Sequence, residues 1–261
     1  MTSTTVVEAD TTAQPATASS TTTASSGRDS GIRKGRRRSL SYSFLMPPII
    51  AVTERGLSAQ GTAQGFHAPG LWVVILAAGG SRRFGSPKLL TRVGGESLLL
   101  RAVRLGQSCA GERCLVVLGA RASRLAAELR PARVRYTCNP RWREGLSTSL
   151  SRGLASLPRS ARAALILLAD QHALAPGHLA ALIQQWRRDP RTLVAAEWDG
   201  IRGPPVILPR AVFAAVRRQR GDAGARALLR QPGLRVVTGP LPAARLDLDT
   251  PADRAQLPKK R

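Results

Sequence analysis

The chain has 261 residues, of which 43% are hydrophobic, which is enough apolar material for one or two folded domains. No apolar run approaches the roughly 18 residues of a membrane span, so a membrane protein is not expected. The net charge of +24 would suit a nucleic-acid-binding protein, but the cationic residues are scattered and aromatic residues make up only 4% of the chain. Base-stacking surfaces are therefore scarce, and nucleic acid is an unlikely partner on composition alone.

Residues 1–69 are predicted to form a disordered, low-complexity tail. Threonine, serine and alanine dominate residues 1–30 with almost no apolar periodicity. A basic cluster at residues 33–38 precedes a mildly apolar stretch and imitates an export signal, but Pro47 and Pro48 interrupt that stretch. We therefore expect a solvated tail on a cytoplasmic protein.

From residue 71 the pattern alternates between buried strands and amphipathic helices. Strands are predicted at residues 71–76, 113–118, 134–138, 163–168 and 192–197, and helices at residues 97–108, 122–129, 147–157 and 176–188. Repeated β-α units with apolar strands predict a Rossmann-like α/β domain, in which helices cover both faces of a mostly parallel sheet. Functional sites in such three-layer α/β/α folds lie at the carboxyl ends of the strands.

The three cysteines, Cys109, Cys114 and Cys138, are odd in number and match no metal-ligand spacing. They are predicted to be buried free thiols in a reducing compartment.

A loop of small residues follows the first strand, and Arg82, Arg83 and Lys88 come directly after it. Backbone N–H groups in such a loop can approach an anion closely, and the flanking cations neutralise it, so we predict a phosphate-binding site. An ordinary glycine turn with solvated arginines has the same local composition. The loop is neither a P-loop nor a G-x-G-x-x-G motif. The loop residues are Ala77, Ala78, Gly79, Gly80 and Ser81, and Leu76 at the end of the strand is a further binding candidate.

Two acidic features are predicted near strand ends. Asp170 ends the fourth strand, where an apolar strand offers no evident counter-charge, and it is either a Mg²⁺ ligand or a turn and capping residue. Strand alternation places Asp247 and Asp249 opposite Leu246 and Leu248, so these carboxylates share a face and are either metal ligands or a solvated edge.

The string from Leu76 to Lys88, LAAGGSRRFGSPK, resembles the signature of the MobA-like nucleotidyltransferases, and most closely that of the molybdenum cofactor cytidylyltransferases. The resemblance covers residues 71–257, with the motifs in the family's order. It implies a domain of the nucleotide-diphospho-sugar transferase type over residues 70–258. The guanylyl-transferring relatives typically read Leu-Ala-Gly-Gly at the start of this string, whereas this chain has the cytidylyl version.

The resemblance also implies roles for individual residues. The loop would wrap the triphosphate with its start facing the base, and Arg83 and Lys88 would bind phosphates. Asp170, in a string similar to the family's Asp-Gln/Met-Pro motif, would hold Mg²⁺ together with Asp247 or Asp249, which stand in a string similar to Asp-hydrophobic-Asp-Thr-Pro-Glu-Asp.

A further segment, residues 139–154, is locally a turn followed by a serine-capped helix. It resembles the family segment that approaches the nucleotide, so Gly145 and Ser149 become binding candidates and Trp142 is assigned to packing.

The chain departs from the family pattern at two places. His172 replaces the proline of the metal motif and is expected to be a surface turn residue. Pro204 replaces the histidine of a Gly-His-Pro-Val segment on the acceptor side, which puts that histidine's acceptor contact in doubt. Arg226, in a string similar to Gly-Asp-x-Gly-Ala-Arg, is a weaker candidate for binding an anionic acceptor.

The expected function is transfer of CMP from CTP to the terminal phosphate of a molybdopterin-type cofactor, with release of pyrophosphate. Such transfers need positioning and charge stabilisation more than a nucleophilic side chain, and none is evident. The alternatives are an NTP transferase for a sugar phosphate or small phosphorylated acid, and a catalytically silent carrier that delivers the cofactor to a molybdoenzyme or its accessory protein.

Overall fold

The computed structural model describes residues 68–81, 84, 87–219, 221, 229, 230 and 233–246. The predictions for residues 1–67, Arg83, Arg226, Asp247 and Asp249 lie outside these described residues.

The described part of the chain alternates strands and helices as the sequence predicts. The strands are β1 (Leu71–Ala77), β2 (Arg92–Val93), β3 (Glu96–Ser97), β4 (Cys114–Leu118), β5 (Arg135–Cys138), β6 (Ala163–Leu168), β7 (Leu193–Trp198), β8 (Ile201–Pro209) and β9 (Val236–Pro240). The helices are α1 (Leu98–Ala110), α2 (Ala122–Leu129), α3 (Leu146–Ala155), α4 (Pro176–Arg188) and α5 (Phe213–Arg218). Among these helices, none has both the length and the apolar character needed to cross a bilayer.

Seven of the strands form one sheet in the order β5-β4-β1-β6-β8-β7-β9, and β2 and β3 form a separate hairpin. Neighbouring strands of the large sheet run parallel except at β8, which is antiparallel to both β6 and β7. β1 lies inside the sheet, with Val74 level with Leu115 of β4 on one side and Ile166 of β6 on the other. The mostly parallel sheet predicted from the sequence is confirmed.

Alternating side chains of β1 point into two separate cores. Leu71, Val73 and Ile75 pack with α1, α2 and α4, whereas Trp72 and Val74 pack with α3 and α5 on the opposite face. All of β1 is buried because helices cover both faces of the sheet, which explains its continuous apolar sequence. The arrangement is the predicted three-layer α/β/α domain.

β8 is absent from the sequence prediction. It is joined to β7 by Asp199 and Gly200, whose φ angles of 49° and 73° are both in the left-handed region. Two such residues form the tight turn that suits an antiparallel hairpin, so β8 must run against the rest of the sheet.

Two of the three cysteine predictions hold. Cys109 and Cys114 are free and buried, and burial raises the pKa of the Cys114 thiol to about 12. The prediction of burial is wrong for Cys138, which is exposed because it ends β5, the edge strand of the sheet.

Candidate active site

A cleft of about 530 Å³ opens at the carboxyl ends of β1 and β6. The chain leaves β1 toward β4 and leaves β6 toward the opposite side of the sheet, so the loops after these adjacent strands diverge and leave a crevice. Every predicted site residue that the structure describes lies in its lining. The lining residues are Leu76, Ala77, Ala78, Gly79, Gly80, Ser81, Lys88, Leu89, Trp142, Arg143, Gly145, Leu146, Ser149, Leu168 and Asp170.

The small-residue loop forms one wall of this cleft. Its start is held in place by the backbone of the next loop, since Ala120 N–H donates to the carbonyl of Ala78 at 3.0 Å. Among the described residues other than the immediate chain neighbours, no atom lies within 4 Å of where a methyl group on Gly79 would be. Ser81 has a φ of 50°, a backbone conformation that non-glycine residues adopt rarely. The loop therefore has the small side chains and open approach that an anion-binding loop needs.

Lys88 and Asp170 form an ion pair inside the cleft. Lys88 Nζ lies 2.6 Å from Asp170 Oδ2, and the two side chains are only 14% and 18% exposed. The prediction that Asp170 has no counter-charge is wrong, because Lys88 comes from the loop after β1 and meets Asp170 only in the folded sheet. Each charge compensates the other where neither is well hydrated.

Gln171 fixes the chain next to Asp170. Its buried amide group donates to the carbonyls of Pro204 at 2.8 Å and Ala244 at 2.9 Å. These bonds tie the end of β6 to β8 and to the 3₁₀ turn Pro242–Arg245. The segment that leads to Asp247 and Asp249 is thus anchored beside Asp170, although both carboxylates lie outside the described residues.

His172 is not the surface turn residue expected from the sequence. Its side chain is 8% exposed, and its carbonyl accepts a hydrogen bond of 3.0 Å from Arg101 Nε of α1. The turn after β6 is covered because α1 packs over it.

The loop between β5 and α3 is organised by Asn139. Asn139 Nδ2 donates to Ser149 Oγ at 2.9 Å and Thr148 Oγ1 at 3.0 Å, and Asn139 Oδ1 accepts from Arg141 N–H at 3.0 Å. The expected serine cap is absent at the start of α3, since Gly145 is the N-cap residue and no side chain caps it. Gly145 has a φ of 111°, which favours glycine at this position. The bonds to Thr148 and Ser149 explain how the loop keeps its shape at the edge of the cleft.

Trp142 is a cleft residue that sequence reasoning assigned to packing. Its side chain is half-buried, and the guanidinium carbon of Arg143 lies 4.6 Å from the centroid of its ring. Both residues line the cleft. The sequence signal that could have indicated this role is an aromatic residue followed by an arginine in the loop after a predicted strand.

The donor set fits a divalent metal that binds together with a phosphorylated ligand. The described residues contain no group of three or more histidine, cysteine or acidic side chains that could hold a metal without other ligands. Asp170 is the carboxylate among the lining residues. Mg²⁺ commonly uses one or two carboxylates and takes its remaining ligands from phosphates and water. The cleft can therefore hold a polyphosphate against a cationic side chain and a metal-binding carboxylate.

Comparison with known proteins agrees with this arrangement. Residues 73–236 match the family described as the MobA-like NTP transferase domain. The chain is 31% identical over 202 residues to the purine catabolism protein PucB of Bacillus subtilis strain 168, a match that covers 72% of this chain and 95% of PucB.

Solved structures show the same fold. A homologue of Rv0371c from Mycobacterium sp. strain JC1 is 27% identical, with a TM-score of 0.61 over 72% of this chain and 94% of that one. Mycobacterium tuberculosis H37Rv Rv0371c, solved as a complex with manganese, is 25% identical, with a TM-score of 0.59 over 72% of this chain and 97% of that one. The fold is that of the nucleotide-diphospho-sugar transferases.

Proposed function

We propose, from the premise that the chain belongs to the MobA-like NTP transferase family, that it transfers CMP from CTP to the terminal phosphate of a molybdopterin-type cofactor and releases pyrophosphate. Nucleotidyl transfer is the chemistry of the family. The observation that carries the proposal is the Lys88–Asp170 pair, which lines the same cleft as the small-residue loop.

The choice of nucleotide rests on the start of that loop. Leu76, Ala77, Ala78 and Gly79 have the cytidylyl version of the family string and line the cleft together. The choice of acceptor rests on the resemblance to the cytidylyltransferases over the rest of the chain.

In the proposed reaction an oxygen of the acceptor's terminal phosphate attacks the α-phosphorus of CTP. The bond between the α-phosphorus and the oxygen that bridges to the β-phosphorus breaks, and that oxygen leaves with its electron pair as part of pyrophosphate. The chain supplies position and charge rather than a covalent intermediate. Backbone N–H groups of the loop and the ammonium group of Lys88 would bind the phosphates, with Arg83 as a further cation.

Asp170 would hold a divalent cation, Mg²⁺ or Mn²⁺, which when bound neutralises phosphate charge and polarises the α-phosphate. Asp247 or Asp249 would complete its protein ligands. The manganese complex of Rv0371c supports a divalent metal in this family. When the metal and the nucleotide are both bound, the ammonium group of Lys88 would pair with the phosphates instead of with Asp170.

A cytoplasmic location is part of this proposal. The three cysteines of the chain are all free, which suits a reducing compartment, and CTP is a cytoplasmic metabolite.

A second candidate is a carrier that binds the cofactor and delivers it to a molybdoenzyme without transferring a nucleotide. The name of PucB, which refers to purine catabolism, favours a role beside a catabolic enzyme. The replacement of the family's histidine by Pro204 on the acceptor side also favours this candidate.

The test is a pyrophosphate-release assay with CTP, GTP, ATP and UTP, each with Mg²⁺ or Mn²⁺. Acceptors are molybdopterin-type cofactor, a sugar phosphate and no acceptor. Release that requires CTP and the cofactor is the expected result. Release with another nucleotide or acceptor would correct the substrates, and cofactor binding without any release would favour the carrier.

A further inference from the structure

Three loops at the carboxyl end of the sheet meet at Gly119, which directly follows β4. A methyl group on Gly119 would lie 2.7 Å from Ala78 Cβ, from Ala78 O and from Trp142 Cβ. Real Cβ atoms essentially never approach other heavy atoms that closely. The φ of Gly119 is not in the left-handed region, so the position requires glycine for space rather than for backbone freedom.

The residues on either side of Gly119, Leu118 and Ala120, each form a backbone hydrogen bond to one of the other two loops. Ala120 N–H donates to Ala78 O at 3.0 Å, and Asn139 N–H donates to Leu118 O at 2.7 Å. Asn139 in turn holds the loop that presents Trp142, through its bond to Arg141 N–H. The small-residue loop and the Trp142 loop are therefore held at a fixed separation across Gly119.

The contact changes how Ala78 can act on the nucleotide. Ala78 is 6% exposed, and its methyl group faces Gly119. A change at position 78 thus alters the packing between the two loops before it alters any direct contact with a base. Trp142 is the large side chain on the other side of that packing, and it is half-buried at the cleft.

We propose that Trp142 stacks against the nucleobase of the bound nucleotide and that Gly119 positions Trp142 against Ala78. The ligand is a planar base, because an aromatic ring with the Arg143 guanidinium 4.6 Å from its centroid offers stacking and a cation at the same place. Ala78 affects nucleotide binding through its packing against Gly119 and Trp142. The proposal deepens the proposed function and rests on it, since it concerns the nucleotide of the same cleft.

The test measures binding of CTP and GTP by titration calorimetry with Mg²⁺, so that it does not depend on the acceptor. Trp142→Ala is expected to weaken binding of both CTP and GTP about tenfold or more, and Trp142→Phe is expected to restore most of the affinity. Trp198→Phe is the matched control, because Trp198 lies at the end of β7 and is not a lining residue of the cleft. It should bind as the wild type does.

Intrinsic fluorescence supplies a second measurement. The chain has four tryptophans, and CTP should quench the wild type and Trp198→Phe but leave Trp142→Phe nearly unquenched. Gly119→Ala should weaken binding by a similar factor, and Ala78→Gly combined with Gly119→Ala should recover part of the loss because one of the three close contacts is removed.

Unchanged affinity for CTP and GTP in a folded Trp142→Ala variant would overturn the inference, while pyrophosphate release by the wild type would leave the proposed function standing. If Trp142→Ala does not fold, Trp142→Phe quenching and the Gly119 variants decide instead. A folded wild-type protein that binds no nucleoside triphosphate would overturn the proposed function itself.

Discussion

Lys88 and Asp170 neutralise each other at a point where both side chains are largely shielded from water. A metal ion at Asp170 and a phosphate at Lys88 each compete with this pair, so binding of one ligand weakens the pairing with which the other ligand has to compete. Metal and nucleotide should therefore strengthen each other's binding.

Replacing Lys88 by glutamine tests this competition without any turnover. The variant frees Asp170 from its counter-charge, so we expect Mn²⁺ alone to bind roughly tenfold more tightly than to the wild type. The nucleotide should bind more weakly, since a phosphate-binding cation is lost. Electron paramagnetic resonance of free Mn²⁺ in a titration without nucleotide measures the first effect.

The matched control is Arg245→Gln, which removes a cation from an exposed ion pair with Asp199 at 3.0 Å. It changes the net charge equally and should leave Mn²⁺ binding unaltered. Equal Mn²⁺ affinity in Lys88→Gln and the wild type would show that the pair does not restrain Asp170.

At the level of single residues, the sequence predicted which residues line the cleft, but it did not predict which of their side chains contact each other. Leu76 to Ser81 were predicted because a run of small residues at the end of an apolar strand is a local signal, whereas Gly145 and Ser149 were predicted from the family resemblance alone. The Lys88–Asp170 pair joins residues far apart in the chain, and its formation depends on β1 and β6 being neighbours. The burial of His172 depends in the same way on where α1 packs.

Among the elements, those with a clear apolar period were predicted with nearly their observed bounds. α4 was predicted at its observed residues, Pro176–Arg188, because a proline at its first position and a long apolar face mark it. β8 was missed although Asp199 and Gly200 form a recognisable hairpin turn signal. β8 lies between β6 and β7 in the sheet, and its pairing with β6 is a long-range contact that hydrophobic periodicity along the chain cannot predict.

His178 makes the stability of α4 depend on pH. Its Nδ1 accepts a hydrogen bond of 3.1 Å from Ala175 N–H at the start of the helix, and burial lowers the pKa of His178 below 6.5. Only the neutral ring has a free acceptor nitrogen. Because the unfolded chain binds this proton more readily, the stabilisation is complete above about pH 6.5 and is lost as pH falls toward the lower pKa of the folded state.

We expect His178→Ala to lower the free energy of unfolding at about pH 7 by about 1 kcal/mol. It should also flatten the loss of stability between about pH 7 and about pH 5. Urea unfolding at several pH values measures both effects. His178→Gln is the control, because it keeps an acceptor that does not titrate. A loss of stability with falling pH that is as steep in both variants as in the wild type would exclude His178 as its source.

For the whole molecule, the first residue that the structure describes, Ala68, is already buried in the core. Ala68 is 2% exposed, and its carbonyl accepts a hydrogen bond of 3.1 Å from Leu71 N–H. The match to PucB covers 95% of that protein but only 72% of this chain, so we expect the family's domain to fold without the unmatched residues.

Deleting residues 1–67, which spares Ala68, should therefore leave the midpoint of thermal unfolding within about 2 °C of the full chain. Nucleotide binding should also be unchanged. Calorimetry and a CTP titration on the truncated protein measure these two properties. Insoluble protein, or a melting point many degrees lower, would show that the removed residues belong to the domain.

The central claim is that Asp170 serves nucleotidyl transfer, and pyrophosphate release by Asp170→Asn tests it most directly. The amide keeps the size of the side chain but removes the charge that would hold the metal, so kcat should fall on the order of 100-fold or more while the protein stays folded. Asp199→Asn, an exposed aspartate at the β7–β8 turn, is the matched control and should retain full activity. A folded Asp170→Asn variant that releases pyrophosphate at the wild-type rate would contradict the account.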